Sequence, residues 1–108
     1  MIISIEELNE LLVAHTCLRG LTIQLNDEEL TYDLSLAMSV SENYESDAVL
    51  VRFTDVKNFS SRDIGGGLTQ MMHLNVSKLN SGWERIHYEL NELEDNKLSF
   101  YFSSFVAD

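Results

Sequence analysis

Three histidines, His15, His73 and His87, and one thiol, Cys17, are the side chains best placed by type to do proton or nucleophile chemistry near neutral pH. His73 or His87 paired with Asp55 would suit a small hydrolase or nuclease, with imidazole moving the proton and the carboxylate orienting it. None of the three histidines falls in a spaced motif, and a solvated strand histidine is the simpler reading. Cys17 has no second cysteine and no local histidine at zinc-ligand spacing. It reads as a small apolar residue at a helix end. Gly65-Gly66-Gly67 resembles a phosphate loop only in glycine content. It lacks the Lys-Ser/Thr that would follow and the spacing of a dinucleotide fingerprint, and reads as a hinge or bulge where the chain crosses between sheets. Asp27-Glu28-Glu29 and Glu42, Glu45 and Asp47 offer oxygens to a hard cation, but the EF-hand pattern is missing and solvated turns are the simpler account. The residues therefore imply no catalytic site, no cofactor and no metal.

Charge is more informative. The formal net charge is −11, and the first 47 residues hold ten acids against one base, Arg19. From Ala48 onward eight acids face six bases. A field of this sign repels nucleic acid and anionic membrane and speeds encounter with a basic protein. Solubility alone is the plainer explanation of the same charge.

These residues have to be held by elements that the pattern also predicts. Ser4 and Glu7 form a capping-box pair, and Ile5, Leu8, Leu11 and Leu12 recur at helical spacing, so a short helix is expected, fading over His15–Leu18 with Gly20 as its stop or turn. The period then becomes two. Leu21, Ile23 and Leu25 form one strand, and Leu30, Tyr32, Leu34, Leu36, Met38 and Val40 form a longer one, closed into a hairpin by the turn Asn26–Glu29. Ser41–Asp47 is an acidic loop, Ala48–Val56 a strand, Asn58–Gly67 irregular, and Gln70–Val76 a strand with Met72 on the core face. Trp83–Leu93 fits a helix or a strand. The strand is favoured, because Glu94–Lys97 is a good turn into the aromatic strand carrying Leu98, Phe100 and Phe102. Short polar connections imply antiparallel pairing. The expected fold is mainly β (α+β): one domain over residues 1–108, an antiparallel β-sandwich or half-barrel of about six or seven strands with one short N-terminal helix. No targeting segment and no membrane span are expected, and the unpaired cysteine suits the cytoplasm.

V-R-F-T-D-V-K-N-F at Val51–Phe59 is a strand ending in Phe-x-Asp-Val with a second Phe close behind. W-E-R-I-H-Y-E-L-N-E-L-E-D-N-K-L-S-F-Y-F at Trp83–Phe102 is a Tyr strand, an acidic turn and an aromatic strand. Together these resemble small β-sandwich immunity proteins of contact-dependent growth inhibition and polymorphic toxin systems, over the half from Ala48 onward. The resemblance implies a cytoplasmic, non-enzymatic antitoxin that binds one cognate toxin domain, as a monomer in a 1:1 complex, and covers its active site. Such toxins are often RNase-type nucleases with basic clefts, which an acidic inhibitor complements. No family residue carries over position by position. The expected contact set comes from the charge map: Asp27, Glu28, Glu29, Asp33, Glu42, Glu45 and Asp47, with Tyr44 or Trp83 as aromatic anchor. A hydrolase using His73 or His87 with Asp55, and a homo-oligomeric module joined through strand edges, are the alternatives.

Overall fold

Ser4 opens the first helix as the pattern requires. Its hydroxyl accepts the Glu7 N–H at 3.1 Å, and the Glu7 carboxylate accepts the Ser4 N–H at 3.3 Å. Helix α1 (Ile5–Ala14) buries Leu8 and Leu12, and Ile5 and Leu11 pack against the same core. The computed structural model describes residues 3–41, 43, 48–80 and 86–107.

Among the described residues eight strands follow: β1 (Cys17–Asn26), β2 (Thr31–Ser39), β3 (Ala48–Thr54), β4 (Lys57–Ser61), β5 (Leu74–Lys78), β6 (Tyr88–Glu92), β7 (Leu98–Phe102) and β8 (Ser104–Ala107). They form two antiparallel four-stranded sheets, ordered β1-β2-β3-β8 and β4-β7-β6-β5. The described residues are mainly β with one helix, a sandwich-like α+β fold. Leu34, Leu36 and Met38 from one sheet meet Leu90, Leu98, Phe100 and Phe102 from the other, all buried. Phe53 on β3 sits edge-on to Phe100 and Phe102 on β7, at centroid distances of 5.1 and 4.7 Å. These contacts join the sheets and account for the aromatic spacing of Val51–Phe59 and Leu98–Phe102.

Several local expectations are corrected. Gly20 does not stop the helix. It lies inside β1, just past a bulge between Leu18 and Gly20, so β1 begins at Cys17, which is buried at the head of the strand. Leu30 belongs to the hairpin turn, at φ 57°, and not to β2. Asn58–Gly67 is not wholly irregular: β4 pairs with β7 through an irregular register, and Asn58 at φ 53° breaks its alternation. Met71 is buried and Met72 exposed, because residues 72–73 form a turn and β5 starts only at Leu74. His73 and His87 each precede a strand and do not sit within one. Residues 88–92 of the ambiguous segment are strand, as favoured, while Trp83 and the pair Ser81 and Glu84 lie outside the described residues.

The glycine run is a third connection with an unexpected role. All three residues have positive φ (112°, 74° and 129°), which only glycine adopts freely. The loop joins β4 to β5, at opposite edges of one sheet, so it does not cross between sheets. The crossings lie elsewhere, at Asp55–Val56 between β3 and β4 and at Ser103 between β7 and β8.

Candidate functional site

The hairpin turn is built by Asn26. Its side-chain oxygen accepts the N–H groups of Glu28 and Glu29 at 3.1 and 3.3 Å, and its carbonyl accepts the Leu30 N–H at 2.8 Å. That tie presents Asp27, Glu28 and Glu29 to solvent. On the outward face of the sheet Gln24 stands opposite Asp33, and Thr54 opposite Ser104. Both crossing corners come to this end of the sheet. The Asp55 carboxylate accepts the Ser103 hydroxyl at 3.1 Å, and the Ser103 N–H donates to the Thr54 carbonyl at 2.9 Å. Thr54 and Ser104 bond through their hydroxyls.

The result is a polar cleft of about 510 Å³ lined by Asn26, Glu29, Asp33, Thr54, Asp55, His87, Ser103 and Ser104. Three carboxylates come from the hairpin and the corner. The carboxylates do not converge as metal ligands, and no metal-holding group of histidine, cysteine or acid side chains occurs among the described residues. Hydroxyls and carboxylates spread over a cleft suit a guanidinium or ammonium group, which donates several hydrogen bonds to separate acceptors.

Of the expected contact set, the structure brings Glu29 and Asp33 into this cleft, while Asp27 and Glu28 are exposed in the same turn and are not among its lining residues. Glu42, Tyr44, Glu45, Asp47 and Trp83 lie outside the described residues. Asp55 and His87, named from sequence only as a hydrolytic pair, line the same cleft, whereas His73 does not. The charge map missed Asn26, Thr54, Ser103 and Ser104. Neutral polar residues at strand ends carry no charge signal, and only the sheet crossings gather them.

Arg19 is the one base of the acidic half, and the β1 bulge turns it toward the far end of β2. Its guanidinium donates to the Ser39 hydroxyl at 2.8 Å, to the Ser41 carbonyl at 3.0 Å and to the Asn43 carbonyl. It therefore does not neutralise the cleft, which lies at the opposite end of the hairpin. Glu92 is the other buried acid among the described residues, and its role is structural. Its two oxygens accept the N–H groups of His73, Glu94, Asp95 and Lys97 at 3.3, 3.0, 2.8 and 3.2 Å. Desolvation pushes its carboxyl up, but those four backbone bonds outweigh it and hold the carboxyl below the usual range.

No protein-family model matches the chain, and no curated protein or solved structure matches it significantly. No helix among the described residues is long and apolar enough to cross a membrane.

Proposed function

We propose that this chain is an immunity protein that neutralises a cognate, basic toxin domain of nuclease type. The observation that carries the reading is the cleft in which the carboxylates of Glu29, Asp33 and Asp55 gather with the hydroxyls of Thr54, Ser103 and Ser104. A nuclease binds the phosphate backbone through lysine and arginine. The same side chains fit the cleft as charge-assisted donors, so the toxin surface that grips nucleic acid is the surface this protein would cover. The Asp27–Glu29 turn extends the acidic field beyond the cleft and steers encounter. Resemblance of the Val51–Phe59 and Trp83–Phe102 segments to small β-sandwich immunity proteins supports the same reading.

Co-expression tests it. The toxin domain encoded beside this chain should arrest growth alone and be tolerated when this chain is present. Growth arrest undiminished by the intact chain would exclude the reading.

One observation favours a second reading: Asp55 and His87 share the cleft. A hydrolase built on them would act on RNA or another phosphodiester, with His87 as the proton carrier. Purified protein assayed on RNA, beside His87→Ala, decides it, since activity lost in the variant is required.

A further inference from the structure

Glu92 is a buried carboxylate that the toxin-binding reading does not use, and it stands where two connections meet. On one side is the β6–β7 turn, whose Glu94, Asp95 and Lys97 N–H groups it accepts at 3.0, 2.8 and 3.2 Å. On the other is the segment from Thr69 to His73 that leads into β5, whose His73 N–H it accepts at 3.3 Å. Two further bonds join the same pair. The Leu93 N–H donates to the His73 carbonyl at 2.8 Å, and Lys97 Nζ donates to the Gln70 carbonyl at 3.3 Å.

The 69–73 segment also pairs with the head of β1. The Leu18 N–H donates to the Thr69 carbonyl at 2.9 Å, the Met71 N–H donates to the Thr16 carbonyl at 2.7 Å, and Gln70 bridges to Cys17. Cys17, the single cysteine of the chain, is thus flanked by Ser39 of β2 on one side and by Gln70 on the other, and it is 1% exposed. Upstream the segment leads back to Gly65–Gly67. All three glycines have positive φ, and a Cβ on any of them would meet nothing within 4 Å. Close packing therefore does not require them. They supply backbone freedom at one end of the segment.

We propose that residues 69–73 form a strap, hinged at Gly65–Gly67 and latched by the Glu92 carboxylate. When Glu92 takes a proton the strap leaves the head of β1 and opens one flank of Cys17, while both sheets stay folded. An ionised carboxylate offers acceptor sites to four N–H groups. A protonated one becomes a donor at one oxygen, so a buried N–H loses its partner. The turn has other support: β6 and β7 still pair at Asn91–Ser99, and the Arg62 guanidinium holds the Asp95 carbonyl at 2.7 Å. The strap end at His73 keeps the Leu93 bond. Met71, fully buried, holds the strap closed while Glu92 is ionised.

The titratable and charged groups around Glu92 are His73 on the strap, Glu94, Asp95 and Lys97 on the turn, and Arg62 just past β4; its ladder partner on β5, Leu74, is apolar. The carboxylate is held through the backbone N–H groups of the strap and the turn, so the latch follows the proton on Glu92 itself. Desolvation raises the Glu92 pKa and the four backbone bonds lower it, with a net fall. The latch therefore holds above the ordinary carboxylate range and gives way as pH drops through a value below it.

The strap does not depend on the toxin-binding reading and is tested on the full chain alone. Cys17 is labelled with dithiodipyridine, which reacts with thiols in acid as well as at neutral pH, from about pH 7 to about pH 3, beside far-UV circular dichroism. Rates are taken relative to the urea-unfolded chain at the same pH, which removes the titration of the thiol. The relative rate should rise about tenfold or more on acidification before the far-UV signal changes. Glu92→Gln should show the raised rate already at neutral pH. Amide exchange of the wild-type chain serves if that variant does not fold: Leu18 and Met71 should lose protection at a higher pH than Leu36 in β2. Cys17 protected until the far-UV signal collapses, equal labelling of wild type and folded Glu92→Gln, or simultaneous loss of protection at Leu18, Met71 and Leu36 would overturn the proposal.

Discussion

Asp55 and Ser103 join the two places where the chain passes from one sheet to the other: the Asp55 carboxylate accepts the Ser103 hydroxyl at 3.1 Å. Asp55 holds φ 54°, a conformation that Asp tolerates better than most side chains. The pair fixes the corner on which the acidic cleft is built, and it is nearly buried, with Asp55 7% exposed. Ser103→Ala should destabilise the fold by about 1–3 kcal/mol, the scale for losing a hydrogen bond to a charged group. Urea unfolding measures this, and a change within error of zero would remove the structural role.

Glu92 makes stability depend on pH. Its carboxyl is held below the ordinary range, so its contribution is fully present above the unfolded-state value and is lost as pH falls through the lower folded-state value. Thermal denaturation should therefore show a steep loss of stability on the acid side. Glu92→Gln should flatten that dependence and cost about 2–4 kcal/mol at neutral pH, because an amide offers one acceptor oxygen to four N–H groups. An unchanged pH profile in the variant would show that other carboxylates carry the acid sensitivity.

Asn9 acts as a strand partner from within a helix. Asn9→Ala strands the N–H and C=O of Val76 and should cost about 1–3 kcal/mol. Amide exchange at Val76 reads it directly: exchange should quicken there more than at Leu36 in the other sheet. Equal acceleration at both would mean global loosening and no local tie.

How far the fold could be read in advance depended on which force set each segment. Leu34, Leu36 and Met38, and likewise Leu98, Phe100 and Phe102, alternate because one face is buried, and both strands lie where alternation puts them. Ser4 and Glu7 signal a helix start through local bonds alone. β4 has all five residues exposed and so carries no period, while the four-residue β8 is set by pairing with β3. Gly20 reads as a stop only if the bulge at Arg19 is not foreseen. The acids of the turn were legible as charge, and Glu29 and Asp33 do share a cleft. Thr54, Asp55, His87 and Ser103 join them only through the sheet crossings, which leave no local pattern.

Leu30 carries both strain and exposure. A leucine at φ 57° in the turn costs about 1 kcal/mol relative to a residue suited to the left-handed region, and its side chain is 76% exposed. Leu30→Asn should raise the stability of the isolated chain by about 1 kcal/mol, since Asn accepts this conformation. Urea unfolding of the chain with and without this change measures the effect, and a destabilisation would show that Leu30 packs where the turn needs it.

The central claim is that the acidic cleft and its turn capture a basic toxin domain. Stopped-flow association of that domain with the wild-type chain and with Glu29→Gln/Asp33→Asn tests it most directly. The wild-type rate should fall about tenfold between low and physiological salt, and the variant should bind more slowly with a shallower salt dependence. Identical rates for both proteins, flat across salt, would contradict the account even if the complex formed.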